Sequence, residues 1–278
     1  MKASLSINSL IYSTVEKLQN YGITNAKNEI IWYLQHLKIL EKHKPYLNSK
    51  SVDNKVQQAI HKFYLKRKRG IPFQHIIGCG NFYGRDFFIN EYTLIPRPET
   101  EVLIDIVKGK TFKKALDIGT GSGILAITLS IEKIANEVLA TDISSFAIKV
   151  AEKNKIHFQA SNVSFKLHNI LTESFNEKYD LILSNPPYVT LSEYSNLTKQ
   201  IKEYEPKIAL TDFKDGLTFY DRFAKILRDI LNPGGIFICE LGSSTINSQI
   251  LKIFTNQGFT TKIYKDLNSD DRALEINL

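Results

Sequence analysis

KKALDIGTGSGILAI, residues 113–127, joins two kinds of periodicity within fifteen positions. Ala115, Leu116 and Ile118 form an apolar run of strand length, and Ile124-Leu125-Ala126-Ile127 opens a helix. Between them, glycines alternate at 119, 121 and 123, where a backbone must turn sharply or a ligand must come close to it. A core strand handed through a glycine turn to a helix is the unit from which parallel α/β sheets are built. The pattern continues outward. EVLATDI (137–143), VSFKLHN (163–169), YDLILSN (179–185) and GIFICELG (235–242) read as further strands, with helical stretches at 144–155, 216–230 and 246–256. FTTKIYK (259–265) and ALEINL (273–278) follow too closely for a helical crossover, so they are expected to pair antiparallel.

The first seventy residues differ in kind. Ile7, Leu10, Ile11, Val15 and Leu18 recur at helical spacing up to Gly22. Asn25 is placed to cap a second helix burying Ala26, Ile30, Leu34 and Leu37. Pro45 and the polar stretch 48–54 interrupt the pattern. A third helix then carries Val56, Ile60, Phe63 and Tyr64 toward Gly70. Residues 71–100 are rich in glycine, aromatic and β-branched residues; they read as a hairpin linker closed by Pro96-Arg97-Pro98.

Charge divides the same way. Residues 1–70 carry 13 Lys/Arg against 4 Asp/Glu, a local charge of +9, while the remaining 208 residues carry −2. The basic part is suited to a solvated face or to a polyanionic partner, nucleic acid or ribosome. Over the 278 residues, 43% are hydrophobic and 23% charged, with mean hydropathy −0.18, as in a chain with a packed core. No stretch has the apolar length of a membrane span, and the amino terminus is too polar for a secretory signal. Cys79 and Cys239 stand in neither a redox nor a zinc spacing. A reducing, cytoplasmic setting, no metal and a monomer are the expectations.

Asp142 ends the second strand, 23 residues after Gly119, where an acid can accept the hydroxyls of a ribose. A dinucleotide fingerprint would need its third glycine at 124, which is Ile124; the loop suits a ligand without a pyrophosphate. The fourth strand runs into Ser184-Asn185-Pro186-Pro187-Tyr188. Paired prolines supply no backbone donors and hold the chain stiff. The Asn185 side-chain oxygen and the Pro186 carbonyl can therefore grip the two hydrogens of a planar NH2 group, with Tyr188 as a flat wall. Such an amine is a poor nucleophile, and orienting it against the methyl of S-adenosylmethionine requires no titrating base. The glycine loop, Asp142 and this corner should share one cleft beyond the strand ends.

LDIGTGSG, Asp142 and SNPPY together resemble the amino-methylating, Rossmann-like class I methyltransferases. The resemblance narrows with Arg69-Gly70-Ile71-Pro72 and Gln74 to Gly78, with LIPRPETE (94–101), and with Tyr204-Glu205-Pro206, Ala209-Leu210 and Asp215-Gly216-Leu217. Taken end to end, the chain looks like the peptide chain release factor N5-glutamine methyltransferase family. That resemblance implies a helical substrate-docking domain (1–70), a β-hairpin linker (71–97) and a methyltransferase domain (98–278). It implies a seven-stranded, mostly parallel sheet with an antiparallel last strand. It further implies methyl transfer from S-adenosylmethionine to the glutamine of the Gly-Gly-Gln loop of class I release factors.

Carried over by position, Gly119, Thr120, Gly121, Ser122, Gly123, Asp142, Asn169, Ile170 and Asn185 would hold the cofactor. Asn185, Pro186, Pro187 and Tyr188 would hold the glutamine, with Asn185, Pro186 and Tyr188 catalytic. Asn169 stands where the family has an acid near the adenine. His168 beside it reads as a strand-end surface residue. Arg97 reads either as a substrate or cofactor contact or as the partner of Glu99 or Glu101; Glu205 and Pro206 read as rim or turn residues. Trp32 reads as a core or surface anchor. The alternative activity is adenine-N6 or guanine-N2 methylation of RNA or DNA, whose flipped bases offer the same amine. Against it, the region after the proline corner is not expected to hold a sizeable target-recognition domain. A non-catalytic RNA-binding protein is the reading from a different class.

Overall fold

The structure is a computed structural model describing residues 6–41, 53–242 and 244–278; Pro45 and positions 48–52 lie outside the described residues. It divides into two compact units, Met1–Gly78 and Cys79–Leu278.

The first unit holds α1 (Ile7–Gln19), α2 (Ala26–His36), α3 (Asn54–Lys68) and the short α4 (Phe73–Ile77). Ser6 and Asp53 cap α1 and α3 by accepting the amides of Ser9 and Lys55. Asn25 does not cap α2 through its side chain. Its Oδ1 instead accepts from Asn28 Nδ2 at 2.7 Å. The inward face, Leu18, Ala26, Ile30, Leu34, Ile60 and Phe63, is fully buried. Leu37, expected inside, is 42% exposed because α2 has already ended. Trp32 is half-exposed and leans on Phe73, ring centroids 5.9 Å apart.

One polar pair ties this unit together. Arg67 donates from Nε and Nη2 to Glu29 at 2.7 and 3.2 Å, and from Nη1 to the Ile71 carbonyl at 2.7 Å. Both side chains are nearly enclosed. A bidentate guanidinium–carboxylate pair whose third nitrogen is also hydrogen-bonded approaches the condition under which burial of charge is tolerated.

Residues 73–77, expected within the hairpin linker, are helical. Pro72 precedes α4, Ile76 is buried with the helical core, and Gly78 at φ 72° stops it. The hairpin follows in the second unit as β1 (Cys79–Phe82) and β2 (Arg85–Phe88). Tyr83 and Gly84 both have positive φ, the geometry of a two-residue turn matched to strand twist.

The second unit is built on a seven-stranded sheet of β3 (Phe112–Ile118), β4 (Ala135–Asp142), β5 (Val163–Leu167), β6 (Tyr179–Ser184), β7 (Leu231–Glu240), β8 (Thr260–Lys265) and β9 (Asp271–Asn277). Their order is β5-β4-β3-β6-β7-β9-β8, parallel from β5 to β7, with β9 antiparallel to both its neighbours. The expected architecture and the antiparallel final pair are both present. Helices α5 (Val102–Val107) and α6 (Ile124–Ile131) pack with one apolar layer. Helices α10 (Thr218–Ile230) and α11 (Ser244–Thr255) pack with the other. Helix α7 (Ser145–Phe158) lies over β4 and β5. Covered on both faces, Leu181, Ile182 and Leu183 are fully buried, which explains why these strands read as continuous apolar runs. Between β6 and α10 the chain makes an excursion through the short helices α8 (Leu191–Asn196) and α9 (Lys199–Tyr204).

Replacing Glu29 by alanine leaves the Arg67 guanidinium enclosed without its counter-charge, a loss of about 3–5 kcal/mol. Hydrogen exchange on the full chain is expected to show loss of protection in α2 and α3. Amides of β3 and β6, in the other unit, should keep theirs.

Candidate active site

The glycine turn is tied to the sheet before it meets any ligand. Gly119 and Thr120 amides donate to the Thr141 carbonyl at 2.8 and 2.9 Å, and Gly123 closes the turn on the Thr120 carbonyl. Gly119 and Gly121 have φ of 76° and 57°, a region where a side chain would strain the backbone. Underneath, Asp117 is fully buried. Its Oδ2 accepts the Thr120 hydroxyl at 2.6 Å and the Ala126 amide at 3.3 Å. Burial pushes its carboxyl up to about 7 against the pull of those two donors.

Asp142 faces this turn. Its Oδ2 accepts the Gly121 amide at 2.9 Å and its Oδ1 the Ser144 amide at 2.8 Å. Burial raises its carboxyl above the ordinary range, with the backbone donors opposing. With about four lone-pair sites, the carboxylate retains capacity for a further donor while backbone amides lock its orientation.

Gly119, Thr120, Gly121, Ser122, Asp142, Asn169, Ile170, Asn185, Pro186 and Pro187 line one cleft, together with Arg97, Thr100 and Pro206. Gly123 and Tyr188 do not. A Cβ on Gly123 would meet Ile127, Ala151 and Phe165 at 3.0–3.4 Å, so this glycine lets α6 pack closely. The Tyr188 ring lies against Gly242, where an added Cβ would overlap the ring, and its hydroxyl donates to Glu240 Oε1 at 3.0 Å. The ring expected as a flat wall packs against Gly242 and the apolar layer of α10 and α11, with its hydroxyl on Glu240, and is not among the residues lining the cleft.

Asn169 is folded into a tight turn: its Oδ1 accepts the Leu171 amide at 3.0 Å and its own amide donates to Glu173 at 2.9 Å. His168, expected at the surface, is 3% exposed, lines the cleft and packs against Phe175, the rings tilted by 32° with centroids 4.2 Å apart. Its Nδ1 stands 3.4 Å from Glu173 Oε2, too far for a well-formed hydrogen bond, and burial lowers its basicity. Arg97 pairs with neither Glu99 nor Glu101. Its Nη2 reaches both oxygens of Glu205 at 2.6 and 2.8 Å, and Glu205 also accepts the Ile95 amide. This pair binds the segment before α5 to the end of α9, across 108 residues of sequence.

Thr100 and Glu240, both 1% exposed, were not singled out by the sequence reading. Asn185 Nδ2 donates to Thr100 Oγ1 at 3.1 Å, and Thr100 donates to Glu240 Oε2 at 2.6 Å. The signal was present: an acid inside GIFICELG on a strand buried on both faces requires a partner.

The comparisons with known proteins follow this division. Residues 10–78 match the PrmC N-terminal domain and residues 98–204 the Methyltransferase small domain. A release factor glutamine methyltransferase of Fusobacterium nucleatum is 34% identical over 94% of this chain and 76% of its own. That of Bacillus subtilis is 37% identical over 74% and 75%. A bifunctional methyltransferase of Rickettsia typhi is 36% identical over 98% of this chain, which spans only 57% of the Rickettsia protein. Among solved structures, a methyltransferase from Pyrococcus furiosus shares the fold, with a TM-score of 0.56 at 21% identity over 76% of this chain and 96% of that one. By identity and coverage together, the chain belongs to the release factor glutamine methyltransferase family.

Proposed function

We propose that this chain transfers a methyl group from S-adenosylmethionine to the side-chain amide nitrogen, N5, of the glutamine in the Gly-Gly-Gln loop of class I peptide chain release factors. The reading is supported by the names its relatives carry. The observation that carries it is Asn185, which lines the cleft of the glycine turn and Asp142 while its NH2 group is engaged elsewhere.

The residues present fit the cofactor. Asp142 would take the ribose hydroxyls, the open backbone of Gly119 to Gly121 would lie along the methionine portion, and Asn169 and Ile170 would border the adenine. Bound there, the sulfonium supplies an electrophilic methyl. What the chain supplies is orientation. A glutamine NH2 has its lone pair delocalised into the carbonyl, so it attacks only when held pyramidal and close. Asn185 Oδ1 and the Pro186 carbonyl would take its two hydrogens. Neither proline offers a competing amide proton, and the pair resists rotation out of the cleft. No group needs to remove a proton first, because the alkylated nitrogen is acidic enough to release one to water.

The Arg97–Glu205 pair would hold the rim over which the substrate loop enters. The basic first unit would face a polyanionic surface of the partner or its surroundings. No helix among the described residues is long and apolar enough to cross a membrane.

Mass spectrometry of a release factor incubated with the protein and cofactor should find one methyl group on the Gly-Gly-Gln glutamine. Label in ribosomal RNA or DNA and none in release factor would displace this reading in favour of base-amine methylation. Replacement of Asn185 by alanine should cost about 2–4 kcal/mol in the transition state, read as a fall in kcat, with cofactor affinity nearly unchanged. Alanine at Asp142 should instead raise the cofactor Kd first. Equal effects of the two changes on cofactor binding would contradict the division of roles.

A further inference from the structure

An asparagine amide can sit either way round at almost no steric difference, yet only one orientation can receive the hydrogens of another amide. Something must choose. Glu240 ends β7 with its carboxyl fully enclosed, and its two oxygens are divided between two hydroxyls: Thr100 at Oε2 and Tyr188 at Oε1. Each hydroxyl has one proton, and the carboxylate takes both. Thr100 Oγ1 is left with lone pairs only, so it can accept but not donate toward Asn185. Asn185 Nδ2 fills that position at 3.1 Å. Among the described residues no hydrogen bond engages Asn185 Oδ1, the atom left for the cleft.

We propose that Thr100 and Glu240 are positioning residues that form a one-way donor relay, Asn185 to Thr100 to Glu240, fixing Asn185 with its oxygen toward the acceptor amide. The proposal rests on the glutamine reading above. A carboxylate terminates the relay because it can only accept; a neutral hydroxyl or amide in its place would leave the direction open. Tyr188 contributes from the other side. Its hydroxyl has no other acceptor among the described residues and stays on Oε1, whereas the Thr100 proton can turn to Asn185, so an added proton is accommodated at Oε2. Burial together with the nearby Glu240 charge keeps the Tyr188 phenol protonated. Tyr220 donates to the Glu240 backbone carbonyl at 2.7 Å and holds the strand end in place.

Protonation of Oε2 would reverse the relay. Glu240 would donate to Thr100, Thr100 to Asn185 Oδ1, and the amide would turn its NH2 toward the substrate NH2. Burial acts most strongly on Glu240 and raises its carboxyl. The Thr100 and Tyr188 hydroxyls, then Arg272 on β9, favour the carboxylate, Glu99 opposes it, and the carboxyl is pushed up to about 7. Because this lies above the ordinary carboxyl range, proton uptake relieves the burial cost and favours the fold. Activity lost as pH falls through the neutral range is therefore not lost through unfolding at this residue.

The test uses the full chain with intact release factor. Thr100→Val keeps shape and removes the relay; kcat should fall about 10²-fold. Cofactor Kd by calorimetry should be unchanged, which also reports folding. Thr100→Ser should recover most of the rate. The wild type should show a kcat limb falling with acid near neutrality while its melting temperature does not fall, and Thr100→Val should lack that limb. A Thr100→Val protein with wild-type kcat and pH profile overturns the relay while leaving the glutamine reading intact, as does a Thr100→Ser protein no better than valine. A wild type that transfers no methyl to release factor removes both.

Discussion

Parallel pairing of β3 with its two neighbours is the constraint from which the site follows. Ile118 is in register with Thr141 on β4 and with Ser184 on β6. The next residue along each strand is Gly119, Asp142 and Asn185. Three segments separated by 23 and 66 positions thus leave the sheet at one level, and their functional groups meet without any long side chain having to reach. Register is fixed by burial on both faces, since a slip of one residue would exchange every side chain between the two apolar layers. The chemistry inherits its precision from the packing of Leu116, Ile118, Leu181 and Leu183.

Local parts of this arrangement were legible in the sequence. The glycine turn, the acid ending the next strand and the proline corner are each written in a few adjacent residues, and their common position follows from topology alone. What escaped was long-range pairing of short polar side chains. Thr100 and Glu240 are 140 residues apart, and nothing near either announces the other. Arg97 had acidic neighbours at 99 and 101 yet bonded to Glu205, because the chain between β6 and α10 folds back over the cleft. His168 was misplaced for a related reason: strand-end position suggests exposure, whereas the turn through Asn169 brings Phe175 over the ring. Tyr188 was read from its motif, but its hydroxyl found a buried acid and took the ring with it. In the first unit, Leu37 continued the helical period past the point where the helix had stopped.

Buried carboxyls carry much of the site, and they do different work. Asp117 and Asp142 bind backbone amides and a hydroxyl, so each shapes the glycine turn and helix start while losing part of its solvation. Glu205 is paired with a full cation and serves as a strut between chain segments. Among the described residues no cation contacts Glu240, which is held by two neutral hydroxyls, with Arg272 acting only through space. That distinction matters physically. An enclosed acid contacted only by neutral donors loses more to desolvation than those donors return, and burial pushes the Glu240 carboxyl up to about 7.

The consequence is an asymmetry between the two sides of the cleft. On the side proposed for the cofactor, recognition would rely on main-chain geometry and on an acid anchored by backbone amides, neither of which can change direction. Asn169 would bring no charge there, so binding on that side would fall mainly to Asp142 and the apolar surface around Ile170. On the side proposed for the acceptor, the deciding group would be an amide whose two ends are nearly identical in shape and opposite in hydrogen-bonding character. Steric packing cannot discriminate between them; only the sequence of donors behind the amide can. A site that orients a weak nucleophile with neutral groups would therefore depend on polarity set one and two residues behind that amide, at a threonine and an enclosed acid.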